Sequence, residues 1–416
     1  MSATPAAGPR PSDQWRRLGS ALVRPSGWER PVLVVGGIAA LAIRLALLDH
    51  ITVDYLAFTG RWYEFLEVNG GFAGLDELDA DYTAPYLYLL AFASMALDSF
   101  SGVVAIKLMA LPFDFVLAGF VYLLVRHRYP EGWPAPLAAL AALFAPTVVL
   151  NGAFWGQSDA IYTSGVVATV YLLVTERPRW AMVAFGLAIS FKLQAIFLAP
   201  LLLALLLTRQ LRWWHPLIVP IPYAVLALPA LALGRAPRET LFAYVDQAGV
   251  YEVLSKNAPN LYQWVPNGWY DAAYPLGILG TAAAMLLLVL AIVRGRRPLS
   301  ANDIVLVATA SLVLVPFLLP KMHDRYFFPA DVMAIVLAAY FPRLIWVPVV
   351  VIGASLAAYI PFISISTLRA FRESNGIGSE PIPLPLAAAF MSLVAVVLAV
   401  QVLRAHRAPA ARPAAR

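Results

Sequence analysis

Apolar stretches close to the length of a membrane span recur along almost the whole of this chain, separated by short polar connections. Of its 416 residues, 61% are hydrophobic and 13% are charged, whereas soluble domains carry about 25% charged residues. A helix needs about 20 apolar residues to cross a bilayer. The sequence therefore predicts an all-α polytopic integral membrane protein and excludes a soluble multidomain enzyme.

Twelve segments of the chain are predicted to be transmembrane helices. They are residues 30–48, 103–125, 134–151, 159–175, 179–191, 194–207, 215–233, 274–293, 302–319, 326–341, 344–362 and 383–403. A further apolar stretch, 85–100, is about sixteen residues long and carries Asp98 near its end. Because it is short for a span, we expect it to lie along the membrane surface.

The distribution of Lys and Arg orients these segments. With 85–100 on the surface, nineteen bases fall on one side, ten on the other, and Arg44 lies inside the first segment. Loops rich in Lys and Arg stay in the cytoplasm. We therefore expect both termini to be cytoplasmic in the cell membrane, with loops 49–102 and 234–273 outside. Because the bases are scattered and form no single cluster, nucleic acid is not an expected partner.

The polar ends of the chain and its cysteine content define the domain organisation. We predict one transmembrane domain at 30–403 between two basic cytoplasmic tails, 1–29 and 404–416. The first apolar run is not followed by a small-residue cleavage site, which favours an uncleaved span over a signal peptide. There is no cysteine, so disulfides, thiol catalysis and cysteine-bound metals are excluded.

The stretch 54–86 of the first outer loop is unusually acidic and aromatic, with seven Asp or Glu residues and one base. Its apolar residues recur every three to four positions from Tyr55 to Leu66, which predicts an amphipathic interfacial helix. Asp54 begins this helix, where its carboxylate suits either an N-cap or a general base that takes a proton from an attacking hydroxyl. We favour the base and expect Asp81 to face the same site.

Asp79 and Asp81 also have the D-x-D spacing by which soluble nucleotide-sugar transferases hold a divalent metal. No nucleotide-binding α/β domain surrounds the pair, and Asp-rich loops are common, so we expect no metal there. Arg61, the single base of the stretch, is a candidate ligand for the substrate.

Four ionisable groups lie within residues 321–325, between two apolar runs. Lys321, His323 and Arg325 suit a phosphate by charge, and the guanidinium also by its forked hydrogen bonding. An ordinary turn closed by an Arg–Asp pair is the alternative. Lys192, at the tip of a short helical hairpin, is a further candidate ligand for the same phosphate.

Two other connections on the outer side carry candidate substrate ligands. Trp155, Gln157 and Asp159 join two spans, and polar groups at membrane depth need partners. Asn257 and Asn260 lie in the loop 234–273 beside further aromatic residues. Asn, Gln and Trp side chains suit carbohydrate, although Trp155 also suits the interfacial aromatic belt and the asparagines also suit a structured loop.

These motifs, in this order, resemble the GT-C membrane glycosyltransferases, and among them bacterial relatives of the second mannosyltransferase of GPI-anchor assembly. The resemblance covers about residues 35–340, and Asp324 departs from the Glu found in many relatives. The matching pieces are Asp54-Tyr55, Arg61-Trp62-Tyr63, Asp81-Tyr82 before Pro85, Trp155-Gly156-Gln157-Ser158-Asp159, Phe191-Lys192-Leu193-Gln194, Asn257-Ala258-Pro259-Asn260-Leu261 and His323-Asp324-Arg325-Tyr326-Phe327-Phe328.

The resemblance implies an inverting transferase with a lipid-linked donor, typically a polyprenyl-phosphate mannose or glucose, and mannose is favoured. It also implies an active site on the outer face with a catalytic Asp in the first outer loop, which corresponds to Asp54. The acceptor would be a hydroxyl of a glycan, a lipid-linked glycan or a protein. Since a lipid phosphate is already a good leaving group, we expect neither a metal nor another cofactor.

A transporter or lipid flippase with twelve spans is the main alternative, and a non-catalytic membrane scaffold is a further one. Transporters concentrate polar groups at the bilayer midplane, on broken helices and often within internal repeats. In this sequence the polar motifs fall on the predicted outer side and no repeat is visible. The pattern therefore favours a transferase.

Overall fold

The structure is a computed structural model that describes residues 27–247, 252–363 and 383–407. Most of the predicted tails, 1–29 and 404–416, therefore lies outside the described residues. The helices are α1 Glu29–Leu45, α2 Gly60–Val68, α3 Ala84–Ala96, α4 Gly102–Arg128, α5 Pro134–Phe144, α6 Pro146–Val149, α7 Asp159–Val174, α8 Pro178–Phe191, α9 Ala199–Leu207, α10 Pro220–Ala232, α11 Pro237–Leu241, α12 Ala243–Gln247, α13 Tyr270–Arg294, α14 Ala301–Leu318, α15 Phe328–Tyr340, α16 Trp346–Ile363 and α17 Leu384–Ala405. The strands are β1 Ser255–Lys256 and β2 Met322–His323.

The all-α membrane architecture predicted from the sequence is confirmed. Each of the twelve predicted spans contains a helix. Within the described ranges, six helices are long and apolar enough to cross a membrane, and α5 together with the segment 146–154 reaches that length only as a pair bent by 48°. The count of twelve is compatible with this architecture. Four shorter apolar helices coincide with four of the remaining predicted segments, and the fifth predicted segment, 30–48, contains α1.

Helix α3 illustrates why an apolar composition alone does not make a span. It has 13 residues, so it is about 20 Å long at 1.5 Å per residue, and the hydrocarbon core is about 30 Å thick. It packs against α2 and against α4, α8 and α10. The stretch 85–100 is thus helical as far as Ala96, and its position on the membrane surface stays a prediction.

The core of the protein is built around α14. In the most apolar membrane-length stretch of α14, 83% of the residues are buried, whereas 22–44% are buried in the same stretch of the other long helices. It packs on α15 and α17, and α9 and α13 contact it as well. Because a membrane helix is normally apolar on every side, the sequence could not show which helix lies at the centre.

Two buried ion pairs tie α1 to α4. Arg44 Nε lies 2.7 Å from Asp114 Oδ2, and Arg44 also donates to the carbonyl oxygens of Ala40 and Leu143. At the other end of α1, Arg126 Nη2 lies 2.6 Å from Glu29 Oε2. Since an unpaired buried charge is strongly destabilising, these pairs fix how α1 packs on the bundle.

The first outer loop folds into a small hydrophobic cluster of its own. The predicted interfacial helix is present as a π-helical turn, Tyr55–Thr59, that leads directly into α2. Trp62, Tyr63 and Leu66 pack on the buried face of α3. Single π turns are found frequently at functional sites, and this one begins at the predicted catalytic aspartate.

Candidate active site

A cavity of about 370 Å³ opens between the first outer loop and the connections that follow α8 and α14. It brings together six predicted site residues that are far apart in sequence. They are Asp54, Asp81, Gln157, Lys192, His323 and Arg325. Further lining residues include Trp62, Tyr82, Gln194, Tyr244, Lys256 and Asp324.

Asp54 lies at the start of the π turn, but its carboxylate makes no capping hydrogen bond. Its Oδ2 atom accepts a hydrogen bond from Gln157 Nε2 at 2.7 Å, and Arg325 Nη1 lies 3.3 Å away. Thr52 fixes the turn, because its hydroxyl donates to the carbonyl of Trp155 and accepts from the amide of Tyr55. The sequence left two roles open for Asp54, an N-cap and a general base. The geometry favours the general base, because the carboxylate faces the cavity.

Arg325 is the centre of the charged network. Its guanidinium lies 3.3 Å from Asp54, 3.7 Å from Asp159 and 3.8 Å from Asp324, and it stacks over the ring of Trp155 with 5.6 Å to the centroid. Burial would lower the pKa of Arg325, but the surrounding carboxylates more than reverse this and raise its pKa well above the ordinary value. The guanidinium is therefore a permanent cation at the base of the cavity.

Asp159, at the first turn of α7, is a buried carboxylate of this charged network. It is fully buried, forms an ion pair with Lys192 and accepts a hydrogen bond from Asn151 Nδ2 at 2.7 Å. Lys192 is placed by a break in the chain, since α8 ends at Phe191 and the backbone of Lys192 is extended before the next helical turn begins. Asp159 therefore couples Lys192 to Arg325 without lining the cavity itself.

Gly156 sets the direction of the chain in the connection between α6 and α7. Gly156 has φ = 79°, a left-handed conformation that side chains other than glycine adopt at a cost. Trp155 packs inward, edge to face on Tyr359 with centroids 5.2 Å apart, whereas Gln157 reaches Asp54. The structure therefore places Gln157 in the cavity and Trp155 behind Arg325.

Strands β1 and β2 form a parallel pair that docks the part of the outer loop 234–273 that carries β1 onto the loop 319–327, which we call the arginine loop after Arg325. Their register aligns Lys256 with His323, and the amide of Lys321 donates to the carbonyl of Leu254 at 2.7 Å. This pairing brings Lys256 into the cavity. Lys256 was not among the predicted site residues, because a two-residue strand leaves no periodic signal in the sequence.

Two groups beside Arg325 have strongly shifted pKa values. Burial, together with the positive charges of Arg325, Lys256 and Lys192, lowers the pKa of His323 to about 2, so this imidazole is neutral at physiological pH. Burial raises the pKa of Asp324 to about 6, although Arg325 opposes the shift. His323 can therefore contribute a hydrogen bond but no charge to a phosphate.

Besides Trp155 and Asp159, four predicted site residues lie outside this cavity. Arg61 is exposed and lines a separate groove on the first outer loop. Lys321 has φ = 62° and its ammonium lies over the rings of Tyr270 and Tyr274, on a neighbouring cavity. Asn260 is buried, and its amide donates to the carbonyl of Leu319.

Asn257, the fourth, has φ = 60° and forms a bridge to His323 through the backbone. The two asparagines thus shape the loop that carries Lys256. Asp79 and Asp81 both line the separate groove, and Asp81 also lines the main cavity. Within the described ranges, no group of three or more His, Cys, Asp or Glu side chains is arranged to hold a metal ion.

The fold identifies the class of protein to which the chain belongs. The crystal structure of ArnT from Cupriavidus metallidurans in the apo state aligns with a TM-score of 0.50 over 91% of this chain and 76% of that chain, at 15% sequence identity. The chain is thus a polytopic membrane protein with the GT-C fold. None of the curated proteins matches its sequence.

The sequence places the chain within a particular family of that class. Residues 82–320 match glycosyltransferase family 87, and the chain belongs to that family. It is therefore a membrane glycosyltransferase, and the predicted resemblance to the GT-C enzymes is confirmed at that level. Likeness to the second mannosyltransferase of GPI-anchor assembly stays a prediction. Asp54 and Arg325 lie on either side of the matched segment, so their roles depend on the geometry described above.

Proposed function

We propose that this glycosyltransferase moves a hexose, with mannose favoured, from a polyprenyl-phosphate sugar to a hydroxyl of its acceptor, with inversion at the anomeric carbon. The observation that carries the proposal is the carboxylate of Asp54 beside the guanidinium of Arg325, 3.3 Å apart in one cavity. Such a pair places a proton acceptor and an anion-binding group in the same cavity.

In the reaction that we propose, the acceptor hydroxyl attacks the anomeric carbon while Asp54 takes its proton. The bond between the anomeric carbon and the phosphate oxygen breaks, and its electron pair stays on the departing lipid phosphate. A single displacement from the face opposite the phosphate inverts the anomeric configuration. Gln157, which donates to Asp54 at 2.7 Å, would hold the carboxylate in position.

Arg325, Lys192 and Lys256 would bind the donor phosphate and stabilise the charge that it gains on leaving. Arg325 Nε is buried and makes no hydrogen bond among the described residues, and buried donors normally have an acceptor. A phosphate oxygen would supply one. Neutral His323 would contribute a hydrogen bond.

A lipid carrier for the sugar is supported by the cavity that contains Lys321. This neighbouring cavity has a volume of about 250 Å³ and shares Lys256, His323 and Tyr326 with the main cavity. Its remaining walls are largely apolar and come from Leu193, Val253, Ile278, Leu319, Pro320 and Met322. An apolar space beside two lysines suits an isoprenoid phosphate better than it suits a nucleotide.

The orientation in the membrane is part of the proposal. The excess of Lys and Arg in one set of loops supports cytoplasmic termini and an active site on the outer face of the cell membrane. The main cavity is formed by loops assigned to that outer side, including 49–102 and 234–273. Its partners would be the bilayer, the lipid donor and the hydroxyl-bearing acceptor.

Transfer from defined donors tests the proposal. Purified protein in lipid vesicles is given radiolabelled polyprenyl-phosphate mannose, polyprenyl-phosphate glucose or a nucleotide-activated mannose, together with membrane extract as the source of acceptor. We expect product from a polyprenyl-phosphate donor, none from the nucleotide sugar, and the same rate in EDTA because lipid phosphate leaves without metal assistance. Product formed only from the nucleotide sugar would refute a polyprenyl-phosphate donor. Loss of transfer in EDTA that manganese restores would instead favour a divalent metal bound by Asp79 and Asp81.

A further inference from the structure

A second cavity, which we call the acidic groove, lies beside the main cavity on the first outer loop and has a volume of about 390 Å³. Arg61 and Asp79 line the groove but not the main cavity, so the chemistry proposed above leaves them unused. The aromatic and charged side chains that line the groove include Phe58, Arg61, Trp62, Glu77, Asp79 and Asp81.

The acidic groove and the main cavity share a wall. Phe58, Trp62 and Asp81 line both spaces. The shared wall is aromatic, because the ring of Trp62 lies 6.2 Å from that of Phe58 and 5.4 Å, edge to face, from that of Tyr82. A molecule that fills the groove would therefore extend past Asp81 into the cavity that contains Asp54.

The acidic side of the groove is held in a fixed shape by Arg235. Its guanidinium is 2% exposed and donates to three backbone carbonyls within residues 75–80. The acceptors are the carbonyl oxygens of Leu75 at 2.9 Å, Leu78 at 2.7 Å and Ala80 at 3.3 Å. Hydrogen bonds from a charged donor are stronger than those between neutral groups. The groove is therefore preformed, which lowers the cost of ordering it around a ligand.

The chemistry of the groove selects a hydroxyl-rich neutral ligand. Carboxylates accept hydrogen bonds from hydroxyl groups, and Arg61 donates to them. Phe58, 40% exposed, offers an aromatic face for the apolar side of a sugar ring. Glu77, Asp79 and Asp81 line the groove with one guanidinium, and the charge of Arg235 behind them is paired with Glu239 at 3.4 Å. The groove is therefore negatively charged, so a donor phosphate or another anionic group would be repelled.

We propose that the acidic groove binds the acceptor of the transfer reaction and that this acceptor is a neutral glycan. Its attacking hydroxyl would pass Asp81 to reach Asp54, while the donor phosphate occupies the basic side of the main cavity. The inference rests on the proposed function and narrows its acceptor from any hydroxyl-bearing molecule to a carbohydrate.

Blocking the groove in a chain that has no cysteine of its own tests the inference. Asp79→Cys places a single thiol in the groove, and Glu67→Cys, an exposed position of α2 outside both cavities, is the matched control. Each variant is produced in cells that lack the native copy and is labelled in membrane vesicles with a charged methanethiosulfonate reagent. Binding of radiolabelled polyprenyl-phosphate mannose and its transfer to the acceptor present in the vesicles are then measured.

We expect labelling at position 79 to lower transfer at least tenfold and to change donor binding by less than twofold, with neither affected at position 67. The labelled product should resist protease and be cleaved by glycosidase. Unchanged transfer after complete labelling at 79 would overturn the inference, as would parallel loss of donor binding or a protease-sensitive product. If the wild-type protein, which has no cysteine, transfers no sugar from the lipid donor, the proposed function itself fails, which separates the two tests.

Discussion

Substitution of Asp54 by Asn would remove the proton acceptor and preserve most of the local structure. The amide oxygen of Asn can still accept from Gln157, which bonds Asp54 at 2.7 Å. Arg325 would keep two carboxylate neighbours, Asp159 at 3.7 Å and Asp324 at 3.8 Å. The variant therefore leaves no buried guanidinium uncompensated, and we expect it to fold.

The loss in rate follows from the role assigned to Asp54. Positioned general bases contribute about 10²- to 10⁴-fold to a reaction, which corresponds to about 2.7–5.4 kcal/mol at 1.36 kcal/mol per factor of ten. The lost ion pair with Arg325 affects stability much less, because both side chains retain partners and partly exposed pairs are worth about 1 kcal/mol or less. We expect turnover to fall by at least about 10²-fold, with thermal unfolding close to that of the wild type and donor binding no weaker, because the substitution removes a negative charge beside Arg325.

The assay is single-turnover transfer from radiolabelled polyprenyl-phosphate mannose, read beside donor binding and the unfolding temperature of the same preparation. Asp98→Asn is the matched control, because Asp98 is an exposed carboxylate of the same outer loop that lines neither cavity of the proposed site. If Asp54→Asn turns over near the wild-type rate, the carboxylate is not the base. Near-wild-type turnover combined with an inactive Asp81→Asn variant would move the assignment to Asp81.

Three further outcomes are expected. Arg325→Lys keeps the charge and loses the forked geometry, so we expect the KM for the lipid donor to rise about tenfold while the protein stays folded; an unchanged KM would exclude Arg325 from phosphate binding. Asp81→Asn should lower turnover less than Asp54→Asn, because Asp81 is exposed at the junction of the cavity and the acidic groove. Single cysteines at the exposed positions 98 and 128 should react with an impermeant reagent from opposite sides of the membrane, and same-side labelling would refute the topology.

Sequence reasoning was strongest where a single local property decides the structure. Each apolar segment contains a helix, and six or seven of these helices have the length that a bilayer requires of a span, which is decided by the segment itself and not by tertiary contacts. The acidic outer loop and the arginine loop were likewise recognisable as polar interruptions between apolar runs. What the sequence could not provide was the packing order of helices that are apolar on every side, such as α14 at the centre of the bundle.

Lys321 and Lys256 show why the site was only partly predictable. Lys321 is close to His323 and Arg325 in sequence and was expected to join them, but its left-handed backbone, with φ = 62°, turns it towards two tyrosines on the neighbouring cavity. Lys256 is 69 residues away from Arg325 and enters the cavity through the register of β1 and β2. A contact made by two-residue strands depends on the folded loop and not on local propensity.

Asp324 gives the network around Arg325 a dependence on pH. Burial raises its pKa to about 6, so Asp324 is an anion beside Arg325 at pH 7.5 and neutral at pH 5. Other groups that face this position are Asp54, Asp159, Lys192, Lys256 and His323, and the imidazole stays neutral over this range because its pKa is lowered to about 2.

The donor does not titrate in the same window, because a polyprenyl-phosphate sugar is a phosphodiester and remains a monoanion. Protonation of Asp324 removes a negative charge next to the phosphate-binding guanidinium, so donor affinity should increase as pH falls through 6. We expect about a three- to tenfold lower Kd at pH 5 than at pH 7.5, or about 0.7–1.4 kcal/mol. Asp324→Asn should have the tighter Kd at both pH values, whereas His323→Asn should retain the pH dependence. If Asp324→Asn binds the donor with the same pH dependence as the wild type, another group is responsible, and the phosphate does not bind beside Asp324.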